Sequence, residues 1–423
     1  MKKETYKKYT DFFIILSILI LGLFVFFVVF KPGSELIGED AVNPTEEIRI
    51  TYGNTADSPA YVIENQPAEL TEPAAKEPAE YRITFTGAGD NVVHECLWMD
   101  AQRRALPGGR AYNFKPMFSD VAGMVANADI AFINQETLMA GGSFALSGYP
   151  MFNSPQELGH DLAELGFDVI NIATNHMADK GETGLKNAIN FMRSLDAVTI
   201  GDYLNRDELY QIKVVGRGGI KVAFLAYTYG TNGITLPQSS ELVIPYLNEE
   251  LIISQVVKAK EIADAVIISV HWGDENVFTP NVSQKKFAQL MADQGVLAII
   301  GHHPHVLQPI EWLEGSGGNK TLCVYSLGNL ASGMVAPMNM VGGFIGFDIV
   351  MRENIVTVEN PVFTPTIYYY GSGWLNGHIY LLEDYTPELA KSHGTYSRHG
   401  YSDTVQDLWR YVTNTIDAEF LKT

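Results

Sequence analysis

Residues 298–305 read Ala-Ile-Ile-Gly-His-His-Pro-His, an apolar run that stops at a glycine and gives way to three imidazoles within four positions. The run 298–300 predicts a short buried strand. Imidazoles this close together repel one another if charged and gain nothing from burial if unpaired, so ligation of a metal ion is the economical explanation. His303 and His305 form the pair expected to ligate, and His302 is expected to face outward.

Working outward, the same layout recurs at four other places. Gly89-Asp90 with His94 follows a predicted strand at 82–86, and Asn134-Gln135-Glu136 closes one at 130–134. Asn175-His176 follows a strand at 168–173, and His271 follows one at 265–270. Ligand sites of open α/β sheets gather at the carboxyl ends of strands, and random placement is not expected to produce five such coincidences. These segments hold six of the ten histidines of the chain.

The residue types suggest roles. Asp90 and His94 are four apart and share a face if the turn after Asp90 is helical, although an aspartate there can also simply cap a helix. The Asn175 carbonyl oxygen can bind a metal while the neighbouring His176 turns to the substrate as general acid. Glu136 can place an anionic oxygen between two ions about 3.5–4 Å apart, or serve only as a salt-bridge partner. Mixed nitrogen and oxygen donors suit Mn, Zn or Fe better than Ca or Mg alone. Asp90, Glu136, Asn175, His271, His303 and His305 are the candidate ligands, His176 the candidate catalytic group, and His94, His302 and Asn134 further candidates.

Further strands are expected at 222–227, 322–325 and 344–350, and helices at 117–126, 155–165 with Ser154 as N-cap, 182–195 and 283–294. Strands alternating with helices argue for an α/β domain over 81–352. Residues 353–423, rich in aromatics that include Tyr368, Tyr369, Tyr370 and Trp374, read as an extension packed on that domain. Cys96 and Cys323 lack any paired spacing and are expected as two separate buried thiols.

Residues 12–30 are apolar apart from one serine, close to the ~20 residues that cross a ~30 Å hydrocarbon core. Lys2, Lys3, Lys7 and Lys8 precede them, which predicts a single-pass cell-membrane anchor with residues 1–11 cytoplasmic and the main domain extracellular. A cleaved signal peptide fits less well, because the run exceeds the usual apolar region and no small-x-small cleavage signal follows it. Residues 31–80, rich in proline and acids, read as an extended, disordered linker. The formal net charge of −20 argues against a nucleic-acid partner.

The ordered set GAGDNVVHE, NQE, NIATNHMADKG, VHWGDE, GHHPHVLQPIE and YSLGNL closely resembles the bacterial capsule and poly-γ-glutamate biosynthesis family, the CapA or PgsA type, related to calcineurin-like metallophosphoesterases. The resemblance spans about 81–350. It implies a four-layer αββα sandwich with a two-metal centre, with Asp90, Glu136, Asn175, His271, His303 and His305 at ligand positions and His176 at the general-acid position. The phosphoesterase Asp-x-His opening is missing, His94 stands at a different spacing, and Glu136 replaces the usual second aspartate. The expected function is therefore a membrane-anchored protein of capsule or poly-γ-glutamate synthesis and export with a hydrolase-like di-metal site. Its expected partners are an anionic polymer such as polyglutamate or capsule, and membrane-bound synthase components. A cell-surface metallophosphoesterase or cell-wall hydrolase, and a non-catalytic polymer-binding module, are the alternatives.

Overall fold

The computed structural model describes residues 80–422. The expected cytoplasmic segment 1–11, the apolar run 12–30 and almost all of the linker 31–80 lie outside the described residues. Among the described residues, no helix is long and apolar enough to cross a membrane.

In chain order the elements are β1 (Glu80–Val92), α1 (Glu95–Arg103), α2 (Ala122–Ala126), β2 (Ile130–Gln135), α3 (Glu157–Leu165), β3 (Val169–Asn171), α4 (Gly181–Met192), β4 (Val198–Ile200), β5 (Lys213–Arg217), β6 (Ile220–Thr228), α5 (Glu249–Lys260) and β7 (Ala265–His271). They continue with α6 (Val282–Asp293), β8 (Ala298–His302), β9 (Leu307–Glu314), β10 (Lys320–Leu327), β11 (Asn329–Ser332), β12 (Val341–Arg352), β13 (Ile355–Tyr369), β14 (His378–Leu381), α7 (Pro387–Ser392), α8 (Gly394–His399) and α9 (Val405–Thr413). Every strand expected from the sequence is present.

Two mixed sheets result. The first runs β14-β13-β12-β1-β2-β3-β4, with β11 pairing alongside β1, and the second runs β5-β6-β7-β8-β10-β9. The neighbours β1, β2, β3 and β4 are parallel in the first sheet, as are β6, β7, β8 and β10 in the second. Their carboxyl ends therefore form two ligand-bearing edges.

Strand alternation shows how the layers stack. In β6, Val222, Phe224 and Ala226 join the core shared with the first sheet, while Ala223, Leu225 and Tyr227 pack with Ile252, Val256 and Ala259 of α5. The same split separates Ile267 from Ile268 in β7 and Ile300 from Ile299 in β8. One face of the second sheet thus meets the first sheet and the other is covered by α5 and α6. Phe85 of β1 marks the junction, with its ring 6.4 Å from Phe132, 6.5 Å from Phe224 and 4.7 Å from Phe347. On the first sheet, α3 and α4 bury Leu158, Leu162, Leu185 and Ile189.

Three local readings differ from the structure. The helix expected at 117–126 is instead a 3-10 turn, Lys115–Met117, followed by the short α2. Ser119 between them donates its hydroxyl to the Pro116 carbonyl at 3.4 Å, a side-chain bond that competes with helix continuation. Ser154 does not cap α3; its hydroxyl pairs with that of Thr137 at 2.8 Å, and the N-cap position falls to Gln156. Beyond Arg352 the chain turns directly into β13, which pairs antiparallel with β12 over most of its length, so 353–423 supplies two strands of the first sheet. Alternation in β13 is blurred because several of its residues are half-buried on both faces, which hid the strand in the sequence.

Cys96 and Cys323 are free thiols. Cys323 faces the layer under α5 and α6, whereas Cys96 packs against the core shared by the two sheets.

Candidate metal centre

Asp90 reaches the centre because β1 runs very close to the β10–β11 turn. A Cβ on Gly89 would lie 2.3 Å from the Gly328 carbonyl oxygen, so only glycine permits the approach, and the next amide, Asp90 N–H, donates to that same oxygen at 2.8 Å. The Asp90 carboxylate is fully buried. Its Oδ1 accepts from Asn134 Nδ2 at 2.9 Å and lies 3.1 Å from His302 Nδ1, and its Oδ2 accepts from the His303 backbone N–H at 3.0 Å. Burial would raise its pKa, but the hydrogen bonds and charge of His302 and His305 overcome that and hold Asp90 well below the usual carboxylate range.

The loop after β8 carries the three histidines. Alternation in that strand puts His302 on the face turned toward the first sheet, where its ring lies 5.7 Å from that of Phe132. His302 is 0% exposed, so the outward orientation expected for it is wrong; it anchors Asp90 from inside. His303 and His305 adopt left-handed backbone with φ of 97° and 58°, a conformation uncommon for side-chain-bearing residues and concentrated at functional sites. His305 Nδ1 pairs with Asn329 Oδ1 at 2.9 Å, so that its Nε2 faces Glu136 Oε1 at 3.5 Å. Its carbonyl oxygen accepts from Asn339 Nδ2 at 3.0 Å, which ties the loop to the turn before β12.

Glu136 is the focus of the arrangement. Its Oε1 lies 3.5 Å from His305 Nε2, 3.8 Å from His271 Nε2 and 3.9 Å from His176 Nε2. Yet both carboxylate oxygens are buried without a hydrogen-bond partner among the described residues. Burial, followed by the nearby charges of Asp90, Glu275 and Asp179, pushes its pKa well above the carboxylate range, against the opposing pull of His305.

A divalent cation would supply what these groups lack. Glu136, His303 and His305 each bring a donor atom to within 4.8 Å of the others, and so do Asp90, Glu136 and His271, with every one of these residues buried. His271 and His303 each hold a buried Nδ1 without a partner. Burial lowers the pKa of both, to about 3 for His303, which keeps their imidazoles neutral as ligation requires. In contrast, burial disfavours charge on His305, but the carboxylates of Glu136 and Asp90 prevail and push it up to about 10. Buried carboxylate oxygens converging with the neutral imidazoles of His271 and His303 fit a divalent transition metal, which would take the place of the proton that the carboxylates hold on His305.

The other expected residues take distinct places. Asn175 Oδ1 lies 3.0 Å from His271 Nε2, on the ligand side of the centre. His176 Nδ1 pairs with Asp179 Oδ2 at 2.8 Å, and Asp179 also accepts from the Phe152 N–H at 2.6 Å. The Phe152 ring stands edge-on to His176 at 4.7 Å, fixing the imidazole plane. Asn134 is an orienting residue: it donates to Asp90 and accepts from Asn171 Nδ2 at 2.7 Å. His94 stays outside both donor groups, its Nδ1 lying 2.9 Å from the Val92 carbonyl and 3.1 Å from the Gly333 N–H.

Asp179, Asn171, Asn329 and Asn339 were not singled out from the sequence. Asp179 stands three residues after His176 and Asn329 directly after a strand-ending glycine, so a local signal existed for both. Asn339 had none.

A buried carboxylate shared by two sets of imidazole and carboxylate donors makes this a candidate divalent-metal centre at the strand ends of an α/β protein. The family model of the bacterial capsule synthesis protein PGA_cap matches residues 84–334, more than half of the chain, and the chain belongs to that family. It is 36% identical over 171 residues to the PGA biosynthesis protein CapA of Bacillus subtilis (strain 168), which covers 40% of this chain and 43% of that protein. It is 31% identical over 181 residues to the capsule biosynthesis protein CapA of Bacillus anthracis, covering 42% and 43%. The matched segment thus spans less than half the length of these curated relatives. Among solved structures, the NAD nucleotidase of Haemophilus influenzae aligns with a TM-score of 0.45 at 12% identity over 82% of this chain and 65% of that one. The calcineurin-like phosphoesterase YfkN of Bacillus subtilis aligns with a TM-score of 0.40 at 13% identity over 79% and 99%.

Proposed function

We propose that the chain is a membrane-anchored, extracytoplasmic protein of capsule or poly-γ-glutamate biosynthesis and export whose centre holds two divalent ions and acts hydrolytically on the polymer or its attachment. The observation that carries the reading is Glu136, a buried carboxylate without a partner that belongs to both donor groups and is placed to be shared by two ions. Asp90 and His271 complete one group, and His303 and His305 the other, with the Asn175 oxygen beside His271. Mn, Zn and Fe suit these donors. Two packed sheets with helices outside support a four-layer αββα sandwich of metallophosphoesterase type. The apolar run 12–30 after a lysine-rich start supports the anchor, and membrane-bound synthase components are the partners that such an anchor would bring close.

When bound, the ions would acidify water and polarise an ester or amide oxygen. The chain's own residues do the rest. Asp90, held by Asn134, His302 and the His303 amide, presents a fixed anionic face. His176 is oriented through Nδ1 by Asp179, so the proton it can give to a leaving group sits at Nε2, the nitrogen directed toward Glu136. Phe152 keeps water from one edge of that imidazole.

The full chain in maltoside micelles, loaded with Mn or Zn, would be assayed on phosphodiesters, polyglutamate and muropeptides alongside elemental analysis. Turnover lost in His176→Ala with metal retained is the expected result. Metal content no higher than in an Asp90→Asn/His303→Ala control would overturn the centre, and metal-dependent polyglutamate binding without turnover would overturn the hydrolytic step alone.

A further inference from the structure

The C-terminal segment builds a second cavity. A small cleft, open to solvent, lies where β13, the turn Pro337–Asn339 and helices α7, α8 and α9 converge. Met340 and Leu408 contribute apolar wall, and Tyr385, Tyr396, Tyr401 and Asp403 contribute the polar and aromatic wall. None of these six belongs to the donor groups around Glu136.

Two observations point to an occupant. Tyr385 is 3% exposed, yet its hydroxyl has no hydrogen-bond partner among the described residues. A buried hydroxyl left so costs free energy that an entering polar group would recover. Asp403 accepts from the Tyr411 hydroxyl at 2.9 Å but forms no ion pair among the described residues, although it faces the cleft. Tyr396 and Tyr401, 46% and 38% exposed, leave ring surface open at the mouth.

The wall chemistry selects the charge of the ligand. Tyrosine rings attract cations through their electron-rich faces, a carboxylate attracts them directly, and a phenol oxygen accepts an N–H bond. An anion would meet repulsion from Asp403, and the one imidazole in the wall, His393, has both ring nitrogens engaged, Nε2 with the Tyr368 carbonyl and Nδ1 with the Thr395 N–H. Met340 and Leu408 in the wall suit a small alkyl body. We propose that this cleft binds a compact organic ammonium ion, its charge toward Asp403 and the tyrosine rings and its alkyl part against Met340 and Leu408. A free amine and the lysine side chain of a peptide share this chemistry.

Calorimetric titration of the full chain in maltoside micelles tests it, using choline, its neutral isostere 3,3-dimethyl-1-butanol, and Nα-acetyl-lysine amide. Choline should bind about ten-fold more tightly than the neutral alcohol, and Asp403→Asn should remove most of that difference. Tyr385→Phe, which deletes only the unpartnered hydroxyl, should weaken binding of Nα-acetyl-lysine amide a few-fold, because only that probe has an ammonium N–H to donate, while leaving the melting curve and metal content unchanged. Binding of the lysine derivative as tight as choline supports a peptide-borne source, and binding of choline alone supports a free amine. Equal binding of choline and the alcohol, or choline binding untouched in Asp403→Asn, would overturn the assignment of charge. Absence of binding by all three probes would overturn the site. Because metal content is read in the same samples, failure here is separable from failure of the metal centre.

Discussion

In the first sheet, the strands that end at the centre deliver oxygen: Asp90 from β1, Glu136 just past β2 and Asn175 past β3. In the second sheet they deliver nitrogen: His271 closes β7, and His303 and His305 follow β8. Neither edge alone makes a complete ligand set. Asp90 has a ready partner of its own sheet in Asn134, whereas Glu136 has imidazoles nearby, His305 and His271 of the other sheet at 3.5 and 3.8 Å and His176 of its own at 3.9 Å. The division means that the centre exists only when the two sheets are packed, and that folding and metal binding are linked.

The sharpest way to break this division is at Glu136, the one side chain in both donor groups. Glu136→Ala should abolish binding of divalent metal by the full chain, whereas removing His303 alone should leave residual affinity through Asp90 and His271; calorimetric titration with Mn distinguishes the two. Equal losses from both would contradict a shared carboxylate.

The junction itself comes next. Phe85→Ala removes the ring that touches Phe132, Phe224 and Phe347 and should cost about 3–5 kcal/mol in chemical denaturation. It should also lower metal affinity, although Phe85 is no ligand. Destabilisation without a change in metal affinity would show that one sheet holds the ion unaided.

A smaller effect is expected where β11 steadies the nitrogen side. Asn329 accepts from His305 Nδ1, which fixes the imidazole and leaves Nε2 as the nitrogen that would ligate. Asn329→Leu should reduce metal affinity about 10–100-fold, beyond what its loss of the bond to the Asn339 carbonyl costs in stability, and Asn329→Asp, which keeps an acceptor, should restore most of the affinity. An Asn329→Leu chain that binds metal like wild type would assign the asparagine a purely local role.

The smallest expected effect lies at the far edge of the first sheet, remote from both ligand sets. His393 Nε2 donates to the Tyr368 carbonyl at 3.1 Å and its Nδ1 accepts from the Thr395 N–H, so the buried ring is neutral. Burial lowers its pKa from 6.5 to about 4, with the Tyr368 bond opposing. Between these values the unfolded chain binds more protons than the folded one, so stability falls as pH drops from 6.5 toward 4 and levels off below. This contribution amounts to about 2 kcal/mol at pH 5. His393→Gln should be less stable at pH 7 but show a correspondingly flatter acid limb, with metal affinity unaffected; an acid limb as steep as wild type would remove His393 as its source.

Much of the frame was legible along the chain. The eight strands anticipated are all present because buried parallel strands leave short apolar runs that end abruptly at polar residues. The residues of the candidate centre were legible for the same reason: Asp90, Glu136, His271 and His303 stand at or just past those ends. The helix at 117–126 misled because its apolar spacing suited both a helix and a broken turn, and Ser119 tipped the balance. Strand β13 was hidden by half-buried residues on both faces, and His302 was misjudged because its direction depends on strand alternation continuing one residue past glycine.

By itself the sequence determined which strands form and which residue types stand at their carboxyl ends, since hydrophobic periodicity and local turn chemistry act over a few residues. Only the tertiary structure decided which ends meet. Glu136 and His305 are far apart in the chain, and their 3.5 Å approach follows from one sheet burying its face against the other. It is also that burial, not the sequence near Glu136, that strips the carboxylate of water and hydrogen-bond partners and makes a cation the group that completes it.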